Sequence, residues 1–222
     1  MIYVLRNPTV ALIPYNFMIE QTSDKKVFYS DSEKKEIFPT SEILERNWET
    51  IKKEFLLLSR NNKEQKNIGE RFIQQDADFW KGWTTFELRS FDKDNKENMK
   101  YCPTLSEILR KDPNISTAFF SVVEPGKTIS SHYGPFKGIL RYHLGLIIPP
   151  KESGYCFISV DNQLYDWKNG EGVLFDESHK HFVKNETKYH RVILFIDVRR
   201  PVWCSSLNNF ILYLMSISPY NF

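Results

Sequence analysis

The sequence predicts a mainly β fold, a double-sheet jelly roll carried by an α-helical N-terminal region. Three observations predict it. From residue 40 to about 66, apolar side chains recur at helical steps. From Thr117 onward the period changes to two across eight short runs. Turn-forming pairs separate those runs: Pro125-Gly126, Gly134-Pro135, Pro149-Pro150, Asp161-Asn162 and Asn169-Gly170.

Each element has its own justification. The opening stretch MIYVLRNPTVALIPYNF is apolar, but Pro8 and Pro14 interrupt it, so it lacks the continuous apolar core of a signal peptide. In FPTSEILERNWETIKKEFLLLSRNNKEQK, residues Ile43, Leu44, Trp48, Ile51, Phe55 and Leu58 share one helical face. One helix is expected there, with Thr40 or Ser41 as its N-cap. The polar run 91–100 reads as a loop, and 104–110 as a short helix ended near Lys111-Asp112-Pro113. Strands are expected at 118–123, 128–132, 139–148, 155–160, 163–167, 172–175, 181–183 and 191–198. Residues 203–217 are apolar but shorter than the ~20 needed to span a bilayer. They predict a C-terminal helix or tail, packed on the domain or resting on a membrane surface. One domain of 222 residues is expected: a mainly helical support region (1–116), a β core (117–201) and the apolar C-terminal segment (202–222).

Composition narrows the function. Apolar residues make up 41% and aromatics 15%, and the formal charge is +2, without the basic excess of a nucleic-acid-binding protein. Cys102, Cys156 and Cys204 are scattered, with no C-x-x-C pair for a zinc ribbon. A reducing, cytoplasmic setting is expected, with membrane association through the C-terminal segment left open.

Several residues do not suit a core. In SSHYGPFKGILRYHLGL, Arg141 and His143 share one face of a strand because side chains alternate. Arg191 heads the apolar run RVILFIDV. A buried guanidinium needs an anion, and two facing one cavity suggest a dianionic small molecule. His132 and His181 are then candidates for a metal pair; imidazole suits Fe, Zn, Cu and Ni, and spacing does not choose among them.

The stretches FFSVVEPGKTISSHYGPFKGILRYHLGLIIP, WKNGEGVLFDESHKHFVKNET and RVILFIDVRRP resemble, in order and spacing, the aspartyl/asparaginyl β-hydroxylase family. The resemblance implies a cupin-like double-stranded β-helix that uses Fe(II), 2-oxoglutarate and O2. It implies that His132 and His181 ligate iron, and that Arg191 and Ser121 hold the distal carboxylate of 2-oxoglutarate. Arg141 and His143 would lie near its metal-binding end. Gly134 matches the position where most such oxygenases carry an acidic third ligand, which this family lacks. The implied reaction hydroxylates an unactivated C–H and releases succinate and CO2.

Two substrate classes fit the resemblance: an Asp or Asn side chain of a peptide or protein, and a lipid acyl chain. The wording lies closer to the bacterial members that act on an acyl chain of lipid A. Two alternatives stand beside this reading: a halogenating relative that places halide in the vacant ligand position, and a non-catalytic jelly-roll binding module. Asp176 and Glu177 read as ligand-orienting residues or, for Glu177, as an ordinary surface charge. Lys137, Arg199 and Arg200 read as solvated charges or, for the two arginines, as strand-end residues.

Overall fold

The computed structural model describes residues 12–60, 66–67 and 82–217. Four helices open it: α1 (Ile13–Thr22), α2 (Asp31–Ile37), α3 (Thr40–Arg46) and α4 (Trp48–Arg60). They are followed by β1 (Lys66–Asn67), β2 (Trp83–Ser90), β3 (Lys93–Asp94), α5 (Lys96–Met99) and α6 (Pro103–Lys111). The remaining strands are β4 (Ile115–Val123), β5 (Lys127–His132), β6 (Ile139–Ile147), β7 (Cys156–Val160), β8 (Gln163–Tyr165), β9 (Gly172–Phe175), β10 (His181–Asn185) and β11 (Arg191–Arg199). Helix α7 (Ser205–Ile217) closes the described chain.

The single helix expected from residue 40 is two helices. Asn47 breaks it, with φ −99° and ψ 8°, and its side-chain amide donates to the Ile43 carbonyl at 2.8 Å. A short polar side chain competes there with the helical ladder. The expected cap also differs: Pro39 takes the N-cap position without a side-chain bond, and Ser41 is buried with its Oγ unpartnered. A true capping box lies one helix earlier, between Ser30 and Glu33 at the start of α2. The run 91–100 is not a loop throughout. Phe91 and Asp92 adopt positive φ and turn the chain, β3 pairs back onto β2, and Asn95 caps α5.

Strands β4 to β11 correspond to the eight expected, with shifted ends: β4 begins at Ile115, β8 stops at Tyr165 and β10 runs on to Asn185. They form two antiparallel sheets. The larger has the order β1-β2-β4-β11-β6-β9, with β3 on β2, and the smaller the order β5-β10-β7-β8. This is the closed double-sheet arrangement of a jelly roll. The support region is not purely helical, since β2 extends the large sheet by pairing with β4.

Both faces of the large sheet are covered, which is why its strands read as almost unbroken apolar runs. On β6, Leu140, Tyr142, Leu144 and Leu146 pack toward the helices with Leu44, Ile51 and Phe55. On β11, Val192, Leu194, Ile196 and Val198 join the same core. The opposite faces, with Ile193, Phe195, Val173 and Phe175, meet Ile129, Ile158, Val160 and Val183 of the small sheet. Arg141, His143 and Arg191 therefore point between the sheets, through the alternation that puts their neighbours under the helices.

Gly145 lets β6 pass the turn after β8. A Cβ there would lie 2.1 Å from the Lys168 carbonyl oxygen, which is backbone and cannot swing aside. Gly145→Ala is expected to destabilise the fold by about 1–3 kcal/mol, the usual range for overpacking. A urea midpoint equal to that of the wild type would contradict this.

A third cluster joins α1 to α7. Leu12, Tyr15 and Ile19 pack with Phe136, Ile139, Leu212 and Met215. The other face of α7 looks outward, with Phe210, Tyr213, Leu214 and Ile217 exposed, and Trp203 exposed just before it. Among the described residues, no helix is long and apolar enough to cross a membrane.

Candidate metal and anion site

His132 ends β5 and His181 begins β10. The antiparallel register places them directly opposite one another, although 49 positions apart in sequence. Their rings lie 4.1 Å apart, centroid to centroid. Each Nδ1 is 2.8 Å from a backbone carbonyl two residues back, Ser130 for His132 and His179 for His181. A carbonyl only accepts, so Nδ1 carries the proton and the lone pair is on Nε2. That pairing is how metal-binding imidazoles are oriented. Burial, the largest cause, lowers the basicity of both rings; His181 is pushed down to about 3, helped by His132 and Arg141. Both are thus neutral imidazoles, the form a transition metal binds. Among the described residues, no cluster of three or more His, Cys, Asp or Glu could hold a metal.

Deeper between the sheets lies Arg191, 1% exposed. Its Nη1 donates to Ser121 Oγ at 3.3 Å, and its guanidinium lies 4.7 Å from the Trp167 ring. No described carboxylate pairs with it, and its Nε has no hydrogen-bond partner. Burial accordingly pulls its basicity down to about 10. Trp83 Nε1 donates to the same Ser121 Oγ at 2.8 Å. His143 is 4% exposed, and neither of its ring nitrogens has a partner. It is walled by Phe175, Phe195 and Trp167. Burial, then Arg191 and Arg141, hold it well below the usual imidazole range. Ser121, His132, Arg141, His143, His181 and Arg191 all line one cavity.

One expectation fails here. Arg141 does not wait for an anion from solution. Its Nε donates to Asp197 at 2.9 Å and its Nη1 lies 3.0 Å from Glu177. Burial raises both carboxyls, and Arg141 between them opposes that rise. Of the two arginines lining the cavity, Arg191 is thus the one that no described carboxylate meets. The cavity offers one guanidinium, one hydroxyl and one unpartnered imidazole at its floor, with two imidazoles at its mouth. That arrangement can grip an acid at one end and present its other end to a metal.

Other residues take different places from those expected. Asp176 pairs with Arg200 at 2.5 Å and caps Ser178, so it orients the turn rather than an imidazole. Arg200 is buried, not solvated. Glu177 is 1% exposed and is no surface charge. Asn185 turns the chain, as its residue type predicts, its Oδ1 accepting from the Thr187 N–H at 3.2 Å; it is also fully buried, and its amide donates to Val123, Glu124 and Tyr189 carbonyls, tying β10 to the end of β4. Trp83, Trp167 and Asp197 were not among the expected site residues. Asp197 is the one with a sequence signal, an acid inside the apolar run VILFIDV.

Residues 45–201 match the family described as Aspartyl/Asparaginyl beta-hydroxylase. An ornithine lipid ester-linked acyl 2-hydroxylase of Rhizobium tropici is 41% identical over 120 residues, covering 54% of this chain and 42% of the relative. An aspartyl/asparaginyl beta-hydroxylase of Homo sapiens is 31% identical over 163 residues, covering 71% of this chain and 21% of the relative. The chain spans less than half the length of either. A Pseudomonas putida prolyl-4-hydroxylase structure aligns at TM-score 0.45 and 13% identity, over 69% of this chain and 88% of that one. A likeness of that size adds nothing to the sheet order already described.

Proposed function

The chain belongs to the aspartyl/asparaginyl β-hydroxylase family, and on that premise we propose that it is a dioxygenase using Fe(II), 2-oxoglutarate and O2. Its product on this reading is a hydroxylated, formerly unactivated C–H, with succinate and CO2 released. The observation that carries the reading is the neutral histidine pair beside a buried arginine that no described carboxylate neutralises.

The residues fit such a group. His132 and His181 would hold the iron through Nε2, their Nδ1 atoms being committed to backbone carbonyls. Arg191 and Ser121 would bind the far carboxylate of 2-oxoglutarate, with the Trp167 ring against the guanidinium. His143 supplies a buried N–H beside them. When bound, iron and 2-oxoglutarate together supply the oxidising power; the chain supplies orientation and a dry, closed floor. The charges support the fit. Fe(II) with a dianion is neutral, so a site without its own ligand carboxylate suits the complete pair better than the metal alone.

For the substrate we favour a lipid acyl chain. The relative named for acyl 2-hydroxylation is the more similar of the two, at 41% against 31% identity. The exposed apolar row on α7 and Trp203 is a face of the kind that rests at a lipid surface. The Asp or Asn side chain of a peptide is the second reading, favoured by the family match itself.

The test is succinate formation by the Fe(II)-loaded protein, with an acyl lipid and an Asp-containing peptide as separate substrates. Hydroxylated lipid in step with succinate is expected. Metal-loaded protein that forms no succinate on either substrate would favour the non-catalytic binding module instead.

A further inference from the structure

Two helices that pack on each other leave apolar rows in the open. On α7, Leu207, Phe210, Leu214 and Ile217 recur at three- and four-residue steps and are all exposed; Trp203, one step earlier, is 71% exposed. On α1, Ile13 and Phe17 stand one turn apart and are exposed, Phe17 by 64%. The inner faces of the same helices are spent on each other, in the cluster that holds Tyr15, Ile19, Leu212 and Met215. Exposed apolar side chains in this concentration mark a docking surface.

Charge and composition say what covers it. The acids at its border are taken: Glu20 by Lys137 at 2.9 Å, Asp92 by Arg199 at 2.7 Å, and Asp24 by the Tyr29 hydroxyl at 2.8 Å, with Arg200 at 3.9 Å. Lys25 and Lys93 are exposed, and no described carboxylate pairs with either. Lys93 Nζ donates to the Ser216 carbonyl in the last turn of α7, beside Ile217. The border is therefore positive, as phosphate headgroups require. Trp203 and Tyr213 add exposed rings with a polar tip, side chains suited to the headgroup level. A paired helix takes its register from charges flanking the apolar stripe, and α7 (SSLNNFILYLMSI) has none.

The surface is also fastened to the metal and anion site. Asn16 of α1 donates to the Pro135 carbonyl at 2.8 Å and accepts from the Lys137 N–H at 2.9 Å. Asn208 of α7 accepts from the Tyr15 hydroxyl of α1 at 2.7 Å and donates to the Gly138 carbonyl at 2.9 Å. Residues 135–138 are thus bonded to both helices, and they begin three positions beyond His132. Tyr133, next to His132, is exposed.

We infer that α1 and α7 together dock on the face of a phospholipid bilayer, with the apolar rows at the acyl boundary and Lys25 and Lys93 among the phosphates, and that this docking brings the mouth at His132 to the lipid. It rests on the acyl-lipid reading above and gives that reading a route, since an acyl chain then reaches the cavity without crossing water. Lying in the interface plane, the 13 residues of α7 give a contact about 20 Å long.

The experiment sediments the full chain, without metal or cosubstrate, with vesicles of phosphatidylcholine alone or mixed with phosphatidylglycerol. Wild-type protein is expected to sediment with both, and about 10-fold more tightly with the anionic vesicles, from two lysines near a charged surface. Phe210→Glu combined with Leu214→Glu is expected to weaken partition at least about 10-fold, and Phe17→Glu to weaken it in the same direction. Leu164→Glu, at an exposed leucine of the small sheet, is expected to change nothing. With Fe(II) and 2-oxoglutarate, the double variant is expected to lose hydroxylation of lipid held in vesicles and to keep that of a water-soluble short-chain analogue. Wild-type protein that stays in solution with both vesicles overturns the inference, as does an equal loss of binding in Leu164→Glu. Undiminished hydroxylation of vesicle lipid by the double variant overturns it too. A dimer in analytical ultracentrifugation that Phe210→Glu dissolves, without vesicle binding, gives the surface to a second copy and overturns it likewise. Wild-type protein that sediments as expected yet hydroxylates no acyl lipid upholds the docking surface and overturns the substrate reading alone.

Discussion

Arg191→Met is expected to raise the melting temperature of the ligand-free protein while abolishing its response to 2-oxoglutarate. The two effects have one cause. Arg191 is a nearly fully buried cation, bonded to a hydroxyl and stacked on an indole, with no described carboxylate to offset its desolvation. Replacing buried charge by an apolar side chain of similar length is often worth about 1–4 kcal/mol to a folded protein. For a chain of this size that is several degrees, at about 2–4 °C per kcal/mol. On the proposed reading, the same substitution removes the partner of the cosubstrate carboxylate. Losing a buried charged contact costs about 3 kcal/mol, or roughly 100-fold in half-saturating 2-oxoglutarate. Scanning fluorimetry with and without 2-oxoglutarate, and succinate kinetics at saturating metal, measure the two arms. A lower melting temperature with unchanged cosubstrate dependence would show that Arg191 is structural.

His132→Ala and His181→Ala should each reduce metal loading and succinate formation to background while leaving the fold intact. The β5–β10 pairing that brings these residues together is made by backbone groups. The local hydrogen bond of each imidazole, to Ser130 or to His179, is worth about 1 kcal/mol. If the histidine pair is the whole protein donor set, as proposed, the wild type should also hold its metal far better with 2-oxoglutarate than without it. Isothermal titration of Fe(II) under anaerobic conditions, in both states, decides the point. Equal affinity would mean that the chain provides a ligand beyond the histidine pair.

The jelly roll is legible because alternation survives in β6 and β11 even though both faces are covered: the polar residues 141, 143, 191 and 197 all fall on one parity. The histidine pair is legible through its place in ordered motifs. What could not be read is who meets whom across strands. Asp197 lies 56 residues from Arg141 and reaches it only through the β6–β11 register. That contact turns an arginine that reads as needing a ligand into one already satisfied. The strand β2 hides because its apolar positions, Phe86 and Leu88, are few and short-range pattern does not reveal its partner β4. The break at Asn47 is a contest between a side-chain amide and the backbone, which helical periodicity does not register.

Among the described residues, strand β5 is the outermost member of the small sheet and pairs with β10 on one side only. An edge of that kind frays more easily than an interior strand. The ion proposed to bridge His132 and His181 would therefore act as a rivet between the margin of the sheet and its neighbour. Loading the centre and tightening the rim become a single event, so the lip through which a substrate enters would be firm only when the reaction can proceed.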